Sequence, residues 1–386
     1  MTFGKQIQGY LQAHHQEMLL MLENLVNRNT SSEYKPGVDE AGYYIKDTFE
    51  KLGFSVDVLE RQNVGNSVVA RKEGSGNGRA LLICHIDSVF PEGTDYIKPF
   101  TLNGNLATGN GVLDMKACIV GCYFALKALD DLQISRPDVV VFLSGDEEKG
   151  SEAVRREIEE EGMLCDWALV TEGSRPGKAV VTQIKGNAYL HVTARGRAAH
   201  AGNEPDIGKN AIIDLAQKAA QLNALNDFET GTTVSVTTFQ GGENRIVIPD
   251  HAEMDVDIRF FTMEEWYKVE NSIREILSHA NDGIQVEYKL TLNRPPLSLV
   301  PGSEELIETV KAASVELAIP YSDVQPGGVS DGNFVSALGV PTIDGMGPSG
   351  GMMCSPEEYL EIDTMVPCAA RLALTLSMLG DLAPRQ

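Results

Sequence analysis

Six residues of this chain carry side chains suited to metal-assisted chemistry: His85, Asp114, Glu147, Glu148, Glu172 and Cys354. Most of the first five follow an apolar run. LLIC leads into His85, with Asp87 two residues on; VVVFLSG leads into Asp146-Glu147-Glu148, and WALVT into Glu172. Runs of this kind read as buried strands, and in open α/β sheets the carboxyl ends of the strands border the ligand crevice. An imidazole and several carboxylates gathered there repel one another unless a cation holds them. The pattern therefore calls for bound divalent metal, and two ions suit this number of acidic groups.

Taken singly, each residue has a plainer reading. His85-Ile86-Asp87 sends alternate side chains the same way at a strand end, so Asp87 can accept the second ring proton of the imidazole, as partners of metal-bound histidines do. A lone His-x-Asp says little. Asp114 follows the turn-rich GNG and opens the apolar helix pattern DMKACIVGCYFALKALDDL, where a carboxylate could equally be an N-cap. Glu147 and Glu148 diverge as neighbours, one able to bind metal while the other faces a bound water, or both could be solvated in a turn. Their joint occurrence at crevice positions is what favours chemistry.

The elements that must position these residues follow from composition and pattern. At 386 residues the chain is too long for one ordinary core and suggests two domains. An apolar content of 42% suffices for a globular protein, and 55 acidic against 32 basic residues give a net charge of −23. That balance argues against nucleic acid or an anionic membrane as partner. The N-terminal segment, MTFGKQIQGYLQAHHQEMLLMLENL, reads as one amphipathic helix and not a signal peptide. No run approaches the roughly 20 apolar residues of a membrane span. The cysteines, Cys84, Cys118, Cys122, Cys165, Cys354 and Cys368, are scattered and read as reduced thiols, so the expected compartment is the cytoplasm.

Gly37 to Leu52 reads as a helix, and FSVDVLE, NSVVARK and RALLICH as successive strands. Alternating strand and helix signals continue to about residue 182, the pattern of a layered α/β domain with a largely parallel sheet. From Gly186 the style changes to strand, helix, strand, strand, helix, strand, the order of a ferredoxin-like unit. It closes at the hinge-like Asn293-Arg294-Pro295-Pro296, after which helix and strand signals return. Residues 183–295 thus read as a smaller domain inserted into a discontinuous larger one, 1–182 and 296–386.

Several stretches, in this order, resemble the co-catalytic dinuclear zinc exopeptidases that include glutamate carboxypeptidase, succinyl-diaminopimelate desuccinylase, aminoacylase and carnosinase. They are HIDSVFPEGT, GNGVLDMKA, SGDEEKGS, VTEGS, GRAAHAGNEPDIGKNAI, GGENRIVIPDHAEMDVDIRF, GGVSDGNFVSALGVPTIDGMGP and SPEEYLEI; HIDSVFPEG looks most like the glutamate carboxypeptidase branch. The resemblance implies a layered catalytic domain with an inserted lid and dimerisation domain, and two divalent ions, zinc first, with manganese or cobalt as alternatives. Asp114 would bridge the ions, His85 and Glu172 would complete one site, and Glu148 with a final ligand the other. Glu147 would be the general base, with Asp87 beside it as the second catalytic carboxylate. His200, from the partner subunit of a homodimer, and Asn244 would approach the scissile carbonyl. Arg259 would hold the substrate carboxylate, a task that suits a guanidinium fork, although its alternation with Asp255 and Asp257 along AEMDVDIRF equally allows a sheet-face ion pair. Gly328 would lie in a loop closely approached by substrate.

One position departs from the family pattern. Histidine is expected where Cys354 stands, and the nearest histidine in the chain is His279. Either a thiolate completes the metal site, or one metal is weakened or lost. Two functions follow: a metal-dependent amidohydrolase acting on a small peptide or N-acyl amino acid with a free carboxylate, or a catalytically impaired relative that serves as a binding or dimeric interaction protein. Retention of Glu147, Asp87, His200 and Arg259 favours the enzyme.

Overall fold

The computed structural model describes residues 2–90 and 98–385; Pro91, Glu92, Gly93 and Thr94 of the HIDSVFPEGT stretch lie outside the described residues. The chain forms two compact units, one of Met1–Gln183, Leu299–Pro326 and Ser330–Gln386, the other of Ile184–Ser298 and Gly327–Val329. Gly327–Val329, which the sequence reading gave to the larger domain, thus belongs with the smaller unit, where the Gly327 carbonyl lies 3.5 Å from Arg259 Nη1.

The larger unit is built on a six-stranded sheet in the order Ser55–Leu59, Ser67–Lys72, Asp138–Ser144, Arg79–His85, Trp167–Val170, Thr342–Ile343. The last four run parallel, Ser67–Lys72 pairs antiparallel with Asp138–Ser144, and Ser55–Leu59 pairs antiparallel with Ser67–Lys72. Arg79–His85 is apolar along almost its whole length because both its faces are covered. Ala80, Leu82 and Cys84 enter one core, and Leu81 and Ile83 the other. The first core is shared with helices Phe3–Ala13, His15–Val26, Lys35–Lys51, Cys118–Asp131, Ser303–Glu316 and Met365–Leu379, and the second with Arg155–Met163 and Gly332–Ala337. Parallel register does the positioning. His85 pairs with Ser144, and Ile83 with Val170, so the segments bearing Glu147, Glu148 and Glu172 leave the sheet at the edge where His85 ends.

Three expectations change. The N-terminal segment forms two helices that break at His14, whose φ of −99° and ψ of 9° leave the helical range. Asp114 is not a helix cap: with φ −106° and ψ 92° it sits in an irregular turn, its peptide bond to Met115 is cis, and the regular helix begins only at Cys118. One helix among the described residues, Ile362–Leu379, is long and apolar enough to cross a membrane, yet 83% of it is buried inside the protein. Its apolarity is that of a core helix. Arg371 within it is fully buried and donates to the carbonyls of Lys178 at 2.7 Å and Gly345 at 3.4 Å.

The smaller unit is an antiparallel sheet in the order Thr233–Gly241, His251–Phe260, Gly186–Arg195, Gln285–Arg294, the ferredoxin-like arrangement. Strand alternation puts Leu190, Val192, Met254, Val256 and Ile258 into one core with helices Ala211–Asn223 and Met263–Ser278. The second helix starts in a capping box between Thr262 and Glu265. Asp255, Asp257 and Arg259 fall on the opposite, polar face of the sheet.

Candidate metal centre

His85 ends its strand almost completely buried. Its Nδ1 lies 3.0 Å from the Asp87 carbonyl oxygen, an acceptor that takes the proton on that nitrogen. Nε2 then faces two carboxylate oxygens, Asp114 Oδ1 at 3.0 Å and Glu172 Oε1 at 3.4 Å. A neutral ring with Nδ1–H presents a lone pair there, so the contact is repulsive unless a proton or a cation lies between. Burial works against a charged His85, but hydrogen bonds to Asp114, Asp87 and Glu172 outweigh it and raise the ring well above its ordinary pKa.

The other carboxylates show the same frustration. Ligand atoms of His85, Asp114 and Glu148 lie within 4.8 Å of one another. Burial, followed by repulsion from Asp114, pushes Glu148 up to about 10 and also raises Glu172. For Asp114, burial is opposed by the hydrogen bond from His85 and, further down, that from Cys354, and the balance falls below the usual carboxylate range. Carboxylates packed so closely that one is driven to neutrality fit a divalent cation better than they fit each other. The donor set of one imidazole and three carboxylates suits zinc, and equally the harder ions manganese and cobalt.

Asp87 faces the His85 ring, as the sequence reading has it, and carries a second task besides. Its carboxylate is 3.5 Å from His85 Nδ1, while its own main-chain carbonyl is the nearer acceptor. The carboxylate also accepts the amides of Glu147 at 3.1 Å and Glu148 at 3.2 Å, together with the Ser32 hydroxyl at 2.7 Å. It therefore fixes the short 3₁₀ turn Glu147–Lys149 that sends the two neighbouring glutamates apart. Cys354 is exposed, with a φ of 60°, and its Sγ lies 3.3 Å from Asp114 Oδ2. Burial of the sulfur and the carboxylates of Asp114 and Glu148 push the thiol far up, so in the metal-free protein it is a neutral S–H donor. The other five cysteines are buried free thiols.

His200, Asn244, Arg259 and Gly328 all belong to the smaller unit. His200 Nδ1 accepts the amides of Gly202 and Asn203, both at 3.1 Å, so its neutral form carries the proton on Nε2. Asn244 Oδ1 accepts the Ile246 amide, leaving the side-chain NH₂ as donor. Arg259 makes a forked ion pair with Asp257 at 2.8 and 2.9 Å, the plainer of the two sequence readings. At Gly328 an added Cβ would meet nothing within 4 Å, so no protein contact requires glycine there.

Sequence reasoning passed over Ser32 and Glu358. Glu358 Oε1 accepts the amides of Leu113 at 2.7 Å and Asp114 at 3.0 Å. It lies inside SPEEYLEI, the only signal that could have pointed to it.

Residues 81–378 match peptidase family M20/M25/M40. The chain is 27% identical over 365 residues to carboxypeptidase G2 of Pseudomonas sp. strain RS-16, covering 92% of this chain and 88% of that protein. It is also 24% identical over 373 residues to succinyl-diaminopimelate desuccinylase of Marinobacter nauticus, with 90% and 94% covered. Among solved structures, a tripeptidase from Staphylococcus aureus superposes with a TM-score of 0.83 at 18% identity, covering 95% of this chain and 98% of that one.

Proposed function

The chain belongs to peptidase family M20/M25/M40, metal-dependent hydrolases of peptide and amide bonds, and we propose that it cleaves the amide of a small peptide or N-acyl amino acid bearing a free carboxylate. The observation that carries this reading is the gathering of His85, Asp114 and Glu148 within 4.8 Å, with Glu172 Oε1 at 3.4 Å from the same imidazole and Glu147 next in the chain. Likeness to a carboxypeptidase over 92% of the chain supports the choice of substrate class.

In this reading Asp114 would be shared by two divalent ions, with His85 and Glu172 completing one site and Glu148 and Cys354 the other. Bound there, such ions lower the pKa of water and polarise a carbonyl. Glu147 takes the proton of the attacking water and passes it to the leaving amine. The turn that carries it is held by Asp87 through the Glu147 and Glu148 amides, so the base cannot drift as it changes charge. His200, with its proton on Nε2, and the Asn244 amide are the donors for the substrate carbonyl oxygen. Arg259, already oriented by Asp257, keeps N–H groups free of that pair for a carboxylate. The enzyme works as a homodimer through the smaller unit, His200 serving the partner's site.

One observation favours a second reading. Cys354 stands as a protonated thiol against Asp114, and a chain that never deprotonates it is left with an incomplete second site and impaired turnover. Metal analysis of the purified protein, with assays on N-acyl amino acids and dipeptides, separates the two. Bound metal with turnover supports the hydrolase; bound substrate analogues without turnover support the impaired relative.

A further inference from the structure

The turn that carries Asp114 has two amides that no main-chain carbonyl of the turn takes up. Val112 N–H reaches the Gly109 carbonyl and Lys116 N–H the Gly111 carbonyl, but the non-helical backbone at Asp114 and Met115 leaves the amides of Leu113 and Asp114 with no carbonyl within the turn. Both are taken by one oxygen of Glu358, whose side chain is 2% exposed. A buried amide without an acceptor is destabilising, so this carboxylate has an evident local use. Its position suggests a larger one. Glu358 lies four residues beyond Cys354, whose thiol contacts the Asp114 side chain, so one segment grips Asp114 by both main chain and side chain. In the same turn, the buried Lys116 amino group donates to the carbonyls of Asn110 at 2.9 Å and Arg28 at 3.1 Å. Among the described residues, Glu358 is the side chain that accepts the Leu113 and Asp114 amides.

We propose that Glu358 is a positioning residue for the metal pair: by holding the Leu113 and Asp114 amides it sets the Asp114 carboxylate, and both metal sites with it. This rests on the reading of Asp114 as the ligand that two ions share. Second oxygen Oε2 of Glu358 is buried without a hydrogen-bond partner, so the side chain is not recruited by any competing contact there. Partners of this outer kind typically change metal affinity about 10–100-fold when removed. Because Asp114 serves both ions, loss of Glu358 weakens both together, whereas loss of Glu148 or Glu172 weakens one.

The test is titration of the metal-free protein with Zn²⁺ against a chelating indicator, with amide hydrogen exchange at Leu113 and Asp114 as a readout independent of metal. Glu358→Ala is expected to weaken both equivalents about 10–100-fold and to speed exchange at the two amides. Glu358→Gln, which keeps an acceptor in place, is expected to restore affinity to within a few-fold of the parent. Should the alanine variant fail to fold, Glu358→Asp, with its acceptor drawn back by one methylene, is expected to weaken both equivalents in the same sense. Parent-like affinity in the alanine or aspartate variant overturns the proposal, as does loss of a single equivalent. A parent protein that takes up fewer than two equivalents refutes the shared-ligand reading itself, and with it the role of Glu358; that failure is recognised because it shows with no substitution made.

Discussion

Glu147 and Glu148 are adjacent and acidic, yet the site gives them different work. Glu148 lies with His85 and Asp114 in a cluster that could hold a metal ion, and Glu147 is the proposed base. Glu147→Gln should therefore lower turnover by about 10²–10⁴-fold with metal content nearly intact; parallel elemental analysis and kinetics check it, and near-parent turnover would show the base to lie elsewhere. At Cys354, imidazole in place of the thiol should preserve or raise activity. Cys354→Ala should lower occupancy of the Glu148 site, because carboxylates and water hold zinc less well than a set with a soft ligand. An alanine variant with unchanged stoichiometry and rate would make the thiol a bystander. His85, Glu148 and Glu172 stood out in the sequence as an imidazole and acids that follow strand-like runs, and Asp114 through its joint occurrence with them and the family resemblance. Ser32 and Glu358 did not, since a side chain that serves main-chain amides far away in sequence looks like any other serine or glutamate. Arg259 was legible only as a choice between two partners, because alternation names the face of a strand and not what the face meets.

The same contrast holds for whole elements. Strands such as Arg79–His85 announce themselves because burial on both faces demands an unbroken apolar run, and the ferredoxin-like order of the smaller unit followed from periodicity switching between 2 and 3.6. The turn at Val112–Ala117 could not be foreseen: its sequence is as apolar as the helix it precedes, and its form depends on an acceptor from residue 358. Strand ends are also where packing reaches the chemistry. A Cβ on Gly347 would stand 2.5 Å from the Thr171 carbonyl oxygen, 2.6 Å from Cys118 Sγ and 2.8 Å from the Glu172 carbonyl oxygen, so backbone must move. Gly347→Ala should cost about 1–3 kcal/mol of stability and, if His85 and Glu172 hold a metal as proposed, weaken it by displacing the Glu172 main chain. Denaturant unfolding alongside zinc titration measures both, and a variant unchanged in each would show that the strand end yields at no cost.

For the molecule as a whole, the two-unit organisation has a kinetic consequence. If His200 serves the partner's site, mixtures of Glu147→Gln and His200→Ala subunits should regain activity that neither has alone, since one pairing holds an intact base and an intact histidine. A fully active monomer by light scattering at micromolar concentration would remove the dimer from the account. Underlying all of these expectations is the claim that a shared aspartate organises two divalent ions. The most direct measurement is metal stoichiometry of the metal-free chain on titration with Zn²⁺, Mn²⁺ or Co²⁺, with turnover of N-acyl amino acids and dipeptides followed in the same samples. The expected result is two equivalents per chain, activity that returns as they bind, and loss of both equivalents in Asp114→Asn. A protein that binds none of these ions, and that none of them activates, would contradict it.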